Sequence, residues 1–303
     1  MKKSICLFSS FFVSNEIPFY VKYYVTELRK HFDEFIFITN SKELSSGSND
    51  FLRGINIQYM PVSNEGFDFG MWYKGLKSIE TSDYNQIALI NDSCILFKSL
   101  DSDFEKIKSS PNSYVGMLQS NRYSPHLQSF FLVIKEKAIP VMVDYFNQHG
   151  LVKEYREIIQ TYEIGLSKHM LANGIQIEGL YNKGHEDHEK NPSFDRITEL
   201  IEEGIPLIKK KIVYRNFRGL EFYWIVRMNF NTDYRKHFKQ IENKYGVQNI
   251  ISISEVMKDA PIKHHRDIFW FTFFQGLANF ARKIPFARSI FHFTISTIKK
   301  IKG

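Results

Sequence analysis

Short polar side chains follow two apolar, β-rich runs of the sequence, at the point where each run ends. One is the stretch Asn64–Gly70, and the other is Asn91-Asp92-Ser93, which follows the run Ile87–Ile90. Ligands of open α/β sheets bind in the crevice beyond the carboxyl ends of the strands. The sequence therefore predicts that these two stretches form two walls of one pocket.

Each stretch has a functional and an ordinary interpretation. Gly66 allows a tight backbone turn, and Asn64 or Asp68 can accept hydrogen bonds from the hydroxyl groups of a ligand. The alternative is a strand-to-helix turn in which Asp68 is the helix N-cap. Asn91 and Asp92 likewise either contact the ligand or only cap the following turn.

Glu163 is the main candidate for a general base. Together with Tyr162 it precedes a helix-patterned stretch that ends at Asn173-Gly174. We therefore expect Glu163 at a helix N-terminus, where the dipole stabilises the carboxylate and the anion can accept a hydroxyl proton. The alternative is a first-turn glutamate that stabilises its own helix. His126, just before a predicted strand, is either a contact for an acceptor or a phosphate, an alternative base, or an ordinary polar residue.

Two polar runs follow the helical region. His185-Glu186-Asp187-His188 holds two imidazoles and two carboxylates, but its Gly and Lys neighbours favour a solvated loop over a metal site. Lys209-Lys210-Lys211 follows Gly204-Ile205-Pro206. Such a charge run is either a solvated face or a source of cations for an anionic ligand.

Composition and charge restrict the class of protein. The chain has 303 residues, 43% of them hydrophobic, which fits one large domain with or without an appendage. Two cysteines cannot form a disulfide framework, so a reducing cytosol is expected. Residues 263–303 contain eight Lys/Arg and one acid, Asp267, and so carry the whole formal net charge of +7. A neutral body with a basic tail argues against a main face that binds nucleic acid.

Strand and helix patterns alternate through the first two thirds of the chain. The predicted strands are Ile5–Phe12, Phe35–Thr39, Ile55–Val62, Ile87–Ile90, Tyr114–Leu118 and Gln128–Ile134. One predicted helix begins at Pro18, another presents Trp72, Leu76 and Ile79, and a helical region extends from about Ile139 to Leu171, whereas Ser45–Asn49 is predicted to be a loop. The alternation predicts an α/β fold with a mostly parallel sheet sandwiched by helices.

Beyond residue 216 the composition changes. Glu221–Tyr245 is predicted to be helical, and residues 268–301 interleave aromatic and basic side chains in segments too short to span a membrane. Such segments are typical of helices that lie in a membrane interface. The alternative is that these aromatic side chains pack on the rest of the protein or on a second subunit. We therefore divide the chain into a catalytic domain, residues 1–216, and a helical extension, residues 217–303.

Several short stretches, taken in order, carry a resemblance that covers roughly residues 5–216. They are Tyr23–Leu28, Asn64–Gly70, Ile90–Ser93, His126–Phe131, Tyr162–Ser167, Asn191–Ser193 and Gly204–Lys209. Together they resemble the rhamnan synthesis protein F family of bacterial glycosyltransferases. The resemblance implies a sheet of the GT-A type that binds a nucleotide sugar, and a role in building cell-surface polysaccharide.

The resemblance also implies roles for the candidate residues. Many GT-A enzymes hold a divalent metal with an Asp-x-Asp motif, where this chain has Asn91-Asp92-Ser93 and thus one carboxylate. Asp92 is then one ligand for Mg²⁺ or Mn²⁺, and metal dependence is left open. Lys209 occupies the Pro-x-Ile-Lys position, where its charge can stabilise a departing diphosphate. The expected nucleotide-sugar site is Asn64, Gly66, Asp68, Asn91, Asp92, Ser93 and Lys209, with Glu163 and Asp92 as catalytic residues and His126 and Gln128 on the acceptor side.

These inferences predict an inverting hexosyl- or deoxyhexosyltransferase that moves a sugar from a nucleoside-diphosphate sugar to a glycan or lipid-linked glycan. Residues 263–303 are expected to hold it on the inner face of the cytoplasmic membrane; a homo-oligomer is left open, and no nucleic-acid partner is expected.

Three alternatives remain. A nucleotide-sugar pyrophosphorylase is disfavoured because Phe8–Ser14 lacks the Gly and basic residues of that class. A catalytically inactive scaffold subunit of a membrane polysaccharide-synthesis complex is kept open by the single carboxylate of Asn91-Asp92-Ser93. Binding of DNA or RNA through the basic tail would make the affinity steeply dependent on salt.

Overall fold

The computed structural model describes residues 2–12, 14–181, 188 and 191–210 of the chain. The predicted extension, residues 217–303, lies outside this part, and so do its predicted helices and membrane contacts. Residues Met1–Lys209 form one compact unit. Among the described residues, no helix combines the length and the hydropathy needed to cross a bilayer.

The unit alternates strands and helices along the chain. The strands are β1 Lys3–Ser10, β2 Glu34–Thr39, β3 Gln58–Pro61, β4 Tyr84–Asn91, β5 Cys94–Leu96, β6 Tyr114–Ser120, β7 His126–Leu127, β8 Phe131–Lys135, β9 Ile177–Tyr181 and β10 Leu207–Lys209. The helices are α1 Phe19–Arg29, α2 Ser46–Gly54, α3 Phe67–Lys77, α4 Asp101–Ser109, α5 Ile139–His149, α6 Tyr155–Ile158, α7 Gly165–Ala172, α8 Pro192–Asp195 and α9 Ile197–Glu202. A π-helical turn, Ile159–Ile164, joins α6 to α7, and a 3₁₀ turn, Thr81–Asp83, precedes β4.

Eight of these strands form one sheet in the order β3-β2-β1-β4-β8-β6-β7, with β9 paired to β6. Strands β3, β2, β1 and β4 are parallel, whereas β8 is antiparallel to both β4 and β6. Strands β10 and β5 form a separate antiparallel pair, in which Lys209 lies opposite Cys94. The predicted α/β fold with a mostly parallel sheet is therefore confirmed.

Helices cover both faces of the central strands. Leu7 of β1 belongs to a buried cluster that includes Trp72 of α3. The next residue, Phe8, points to the other face because side chains alternate along a strand, and its ring meets that of Tyr24 of α1 edge to face, with centroids 5.5 Å apart. Burial on both faces explains the continuously apolar sequence of these strands, and it fixes where their carboxyl ends lie.

The prediction of a loop over Ser45–Asn49 was wrong, because helix α2 begins there. The Ser45 hydroxyl accepts a hydrogen bond from the Ser48 amide (3.2 Å), which satisfies one of the free N–H groups of the first turn. Leu52, one turn later, is buried. Polar caps and loops have the same composition, so the sequence did not distinguish them. The third strand is also shorter than predicted, because Ile55 is the C-cap of α2.

The strand predicted over Gln128–Ile134 begins later in the structure, at Phe131. Strand β7 ends at Leu127 and β8 begins at Phe131, so residues 128–130 form a turn between two separate pairings with β6. His126 is accordingly part of a short strand and not the residue before one. The apolar run Phe130–Ile134 made the strand look longer than it is, and the turn before it places Ser129 next to Glu163.

Candidate active site

The carboxyl ends of β1 and β4 lie side by side. Ser9 and Asn91 are opposite each other in the parallel pairing of these strands. The Ser9 hydroxyl donates a hydrogen bond to Asp68 Oδ1 (3.1 Å), and the Asn91 side-chain amide donates one to Asp68 Oδ2 (2.8 Å). Because Asp68 comes from α3, these contacts bring the two predicted polar stretches together.

Asp92 lies directly after β4 and is buried, with 5% of its surface exposed. Its Oδ2 accepts a hydrogen bond from the Ser10 hydroxyl (3.0 Å), and its backbone N–H donates to the Ser9 carbonyl oxygen (3.2 Å). The Ser10 hydroxyl therefore orients the Asp92 carboxyl group, and the backbone hydrogen bond holds Asp92 beside the end of β1. Two consecutive serines of β1 thus hold one carboxylate each, Ser9 that of Asp68 and Ser10 that of Asp92.

Lys209 brings a cation to the same edge. Its strand, β10, pairs with β5, which begins directly after Ser93. Lys209 Nζ donates to Ser93 Oγ (3.2 Å) and lies 4.3 Å from the centroid of the Phe130 ring. The Ser93 amide donates to Asn91 Oδ1 (3.0 Å). Asn91 therefore caps this turn, as the ordinary interpretation holds, and also binds Asp68.

Two glycines shape the turn into α3. Gly66 is the N-cap and has a left-handed backbone (φ 79°, ψ 16°), so Asp68 lies in the first turn and is not the N-cap. At Gly70 a Cβ atom would lie 1.8 Å from the Glu65 carbonyl oxygen. The absence of a side chain at Gly70 lets the first turn of α3 pack closely against the Glu65 carbonyl group, and this packing sets the position of Asp68. Asn64 is half-buried in this stretch, and its side chain makes no hydrogen bond with the described residues of the cluster.

Glu163 does not lie at a helix N-terminus, and that expectation was wrong. It lies inside the π-helical turn, with α6 before it and α7 after it. Its Oε2 accepts a hydrogen bond from Ser129 Oγ (2.7 Å), and the side chain is 28% exposed. The helix dipole therefore does not orient this carboxylate, whereas the Ser129 hydroxyl does. Single π turns inside α-helices occur frequently at functional sites.

The turn between β7 and β8 connects Glu163 with the sheet edge. The Phe130 carbonyl oxygen accepts a hydrogen bond from the backbone N–H of Asn91 (3.2 Å), and the Ser129 hydroxyl donates one to Glu163. His126, on β7, places Nε2 3.8 Å from Glu163 Oε1. Ser129 and Phe130, which are consecutive in this turn, thus link Glu163 to Asn91, and Asn91 in turn binds Asp68.

Gln128 contacts a different part of the chain. Its Nε2 donates to Asn191 Oδ1 (2.8 Å), and its Oε1 is buried without a hydrogen-bond partner in the part of the chain that the structure describes. Asn191 is the N-cap of α8 and accepts a hydrogen bond from the Ser193 amide (3.1 Å). The structure therefore places Gln128 on the Asn191-Pro192-Ser193 stretch.

Three hydroxyl groups of the site were missed by the sequence reasoning: those of Ser9, Ser10 and Ser129. Ser9 and Ser10 end an apolar run, which is the same signal that identified Asn91 and Asp92. The two phenylalanines that follow made the run look longer than the strand. Ser129 has no comparable signal, because its position depends on the turn between β7 and β8.

The donor set at the strand ends suits a divalent cation only in part. The carboxylates of Asp68 and Asp92 supply the hard oxygen atoms that Mg²⁺ and Mn²⁺ prefer. Within the described residues, no group of three or more His, Cys, Asp or Glu side chains is arranged to hold a metal. The residues thus fit a cation completed by phosphate oxygens and water, and they do not fit an all-protein cage.

Of the run His185–His188, only His188 lies within the described residues. It is exposed, and its Nδ1 lies 3.0 Å from the Asn121 carbonyl oxygen. The preferred interpretation of this run as a solvated loop stays a prediction for the other three residues.

A protein-family model described as Rhamnan synthesis protein F matches residues 35–270, which is more than half of the chain. The chain belongs to this family. Membership confirms the resemblance drawn from the short stretches, and with it the class that the family implies, a glycosyltransferase that uses a nucleotide sugar. The match extends beyond residue 216, where the resemblance of the short stretches ends.

Several solved structures resemble the chain at low identity. A mannosyltransferase from Pyrobaculum calidifontis, in complex with GDP-Man and Mn²⁺, is 9% identical over 98% of this chain and 81% of that one, with a TM-score of 0.43. The glycosyltransferase GlyE of Streptococcus pneumoniae is 11% identical over 83% and 66%, with a TM-score of 0.41. A putative glucose-1-phosphate thymidylyltransferase from Bacillus anthracis is 10% identical over 57% and 86%, with a TM-score of 0.38. Similarity at this level identifies no donor, metal or acceptor for this chain. A comparison with curated proteins finds no match.

Proposed function

We propose that this member of the Rhamnan synthesis protein F family transfers one hexose or deoxyhexose from a nucleoside-diphosphate sugar to a glycan acceptor, with inversion. The observation that supports the proposal is a convergence of distant segments. Asp68, Asn91, Asp92 and Lys209 meet at the carboxyl ends of β1 and β4, and Glu163 is joined to them through the turn between β7 and β8.

The donor is bound in this proposal at the strand ends. Asp68 accepts hydrogen bonds from sugar or ribose hydroxyls, in addition to those that already orient it. Lys209 lies on the diphosphate side, where its charge stabilises the leaving group. Asp92, with Asp68 beside it, would hold a divalent cation whose chemistry is to neutralise charge on the diphosphate. Gly66 and Ser93 shape the two loops that carry these groups.

Glu163 is the proposed general base. As the acceptor oxygen forms its bond to the anomeric carbon, the bond from that carbon to the diphosphate breaks, and its electron pair goes to the departing phosphate oxygen. The proton of the acceptor hydroxyl passes to the Glu163 carboxylate. A single displacement of this kind inverts the anomeric configuration. His126 lies on the same, acceptor side of the site.

The acceptor is proposed to be a glycan or lipid-linked glycan, met at the inner face of the cytoplasmic membrane. The basic and aromatic residues of 263–303 support this location by their composition. A lipid-linked acceptor would require the enzyme to work at a surface, which a peripheral attachment provides.

Donor binding is tested by thermal unfolding of the full chain with a panel of nucleoside diphosphates and their sugars, each with and without Mn²⁺. A ligand at about 100 times its Kd should add about 2.7 kcal/mol to the free energy of unfolding, enough to raise the melting temperature by several degrees. No shift with any member of the panel would contradict the proposed donor site.

Turnover of the donor found in this way tests the catalytic roles. Glu163→Gln should lower kcat by roughly a hundredfold or more while the donor still shifts the melting temperature. Asp92→Asn, which keeps an acceptor for Ser10, should weaken the donor-dependent shift. Glu157→Gln, an exposed residue of the same helical segment, is the matched control and should behave like the wild type. Equal turnover in all three variants would favour another site, and donor binding without turnover would favour the scaffold alternative.

A further inference from the structure

The hydrogen bonds of His126 determine which of its ring nitrogens carries the proton. The residue is buried, with 4% of its surface exposed, and its Nδ1 lies 2.8 Å from the Ser124 carbonyl oxygen. A carbonyl oxygen only accepts hydrogen bonds, so Nδ1 must be the protonated nitrogen. The neutral ring therefore presents the bare lone pair of Nε2 on its other side, 3.8 Å from Glu163 Oε1.

Glu163 is held in a complementary way. Ser129 Oγ donates to Oε2 (2.7 Å), which leaves Oε1 as the oxygen nearest to His126. With no proton between them, Nε2 and Oε1 are two acceptors facing each other, and the separation of 3.8 Å is longer than a hydrogen bond. One added proton turns the same contact into a charge-assisted hydrogen bond. The pair is thus arranged to take up one proton.

We propose that His126 receives the proton that Glu163 removes from the acceptor, so that the two residues act as one base. This inference rests on the proposed function. In the proposed step, the acceptor hydroxyl proton passes to Glu163 and then to His126 Nε2, the acceptor oxygen bonds to the anomeric carbon, and the diphosphate leaves with its electron pair. The products are an imidazolium beside a carboxylate, which return the proton to solvent after product release.

Tyr114, on β6, is a titratable residue that interacts electrostatically with Glu163. Burial raises the pKa of Tyr114, a hydrogen bond with Ser167 opposes this rise, and the Glu163 carboxylate raises the pKa further. Tyr114 therefore stays a neutral hydroxyl. Two serine hydroxyls also contact this region: Ser129 donates to Glu163, and Ser167 accepts from the Leu127 amide (3.1 Å).

The test compares pH–rate profiles of sugar-nucleotide turnover for the wild type and His126→Asn. The asparagine amide can replace Nδ1–H in the bond to Ser124, but it has no group that accepts a proton at the Nε2 position. We expect kcat to fall roughly tenfold, less than for loss of the base itself, with the donor KM unchanged. The acid limb of the pH–rate profile should change, because the variant lacks the imidazole that receives the proton in the proposed step.

Two further measurements keep the inference separate from the proposed function. His188→Asn removes an exposed ring whose Nδ1 also faces a backbone carbonyl, and it should leave kcat and the profile unchanged. If Glu163→Gln abolishes turnover while His126→Asn keeps the wild-type profile, only the proton transfer to His126 is wrong. If neither variant alters turnover, the proposed base is wrong as well. Independently of turnover, ¹⁵N chemical shifts of the His126 ring should show the Nδ1–H tautomer, and an Nε2–H tautomer would overturn the inference.

Discussion

Asp103 is a buried carboxyl group whose ionisation the fold opposes. It lies in the first turn of α4, accepts a hydrogen bond from the Tyr181 hydroxyl (2.7 Å), and has Lys106 4.0 Å away. Burial raises its pKa, and the hydrogen bond from Tyr181 and the charge of Lys106 only partly oppose this effect. Because the folded-state pKa lies above the unfolded one, the folded state holds the proton more tightly, and stability decreases as pH rises through the window between the two values.

Asp103→Asn should remove this dependence on pH. The asparagine oxygen still accepts the Tyr181 hydrogen bond, but no charge has to be buried. The variant should match the wild type near pH 3 and become the more stable protein toward pH 7, by about 1.4 kcal/mol for each unit by which the pKa is raised. Denaturant unfolding at a series of pH values measures the difference. Asp144→Asn, at an exposed position of α5, is the control, and a constant difference between Asp103→Asn and wild type across this range would contradict the explanation.

Some residues of the site could be predicted from the sequence, and others could not. Asp68, Asn91 and Asp92 could be predicted because each follows an apolar run, and a strand end in a parallel sheet is where ligands bind. Ser129 could not be predicted, because its hydrogen bond to Glu163 depends on the turn between β7 and β8. The sequence of this turn was predicted to be part of the following strand. The role of such a hydroxyl group therefore depends on where the backbone turn places it.

The turn into α3 depends on the absence of a side chain at Gly70. A Cβ atom there would meet the Glu65 carbonyl oxygen at 1.8 Å, and backbone cannot move aside as a flexible side chain can. Gly70→Ala should therefore lower the free energy of unfolding by roughly 2 kcal/mol or more, in spite of the better helix propensity of alanine. Because Asp68 lies in the same turn, the variant should also lose part of the donor-dependent rise in melting temperature.

A matched substitution separates this close approach from a general effect of glycine in helices. Gly47 lies in α2, and a Cβ atom added there would meet nothing within 4 Å apart from its chain neighbours and its own helix backbone, so Gly47→Ala should be neutral or stabilising by up to about 1 kcal/mol. Thermal unfolding of both variants gives the comparison. Equal effects of the two substitutions would show that the Glu65 carbonyl can shift and that Gly70 is not required.

Elements buried on both faces were predictable, whereas the polar and irregular ones were not. The central strands β1, β2 and β4 follow from continuous apolar runs between helical patterns. Helix α2 was missed because its cap and first turn are as polar as a loop. The π turn that contains Glu163 was also missed, because one extra residue only shifts the phase of the hydrophobic periodicity, which a segment of six residues is too short to reveal.

At the scale of the molecule, stretches that lie far apart in the chain contact one another in pairs. The stretch His126–Phe131 binds Tyr162–Ser167 twice, through Ser129 to Glu163 and through the Leu127 amide to Ser167. It also reaches the Asn191–Ser193 stretch through Gln128. Three of the family stretches, Asn64–Gly70, Ile90–Ser93 and Gly204–Lys209, share a physical role, because Asp68 binds Asn91 and Lys209 binds Ser93 at the end of β4. The order of these stretches could be read from the sequence. Which stretches contact one another depends on the three-dimensional fold and could not be.

The uneven charge of the chain leads to a prediction about its location. The whole formal net charge of +7 lies in residues 263–303, among aromatic side chains. Each basic residue near an anionic surface contributes about 1 kcal/mol to binding. Replacing Arg282 and Lys283 with glutamine should therefore weaken binding of the full chain to phosphatidylglycerol vesicles by about 2 kcal/mol, or roughly thirtyfold, as measured by co-sedimentation.

A charge-matched control tests whether the tail binds the membrane or packs on protein. Lys42→Gln with Lys137→Gln removes the same charge from exposed positions of the compact unit, and this control should change vesicle binding little because local charge density at the surface governs the attraction. Insertion of the aromatic side chains should leave residual binding at high salt, since the apolar contribution is not screened. Equal binding by the tail variant and the control would contradict a membrane contact through Arg282 and Lys283. In that case the acceptor must reach the strand ends of β1 and β4 without help from the bilayer.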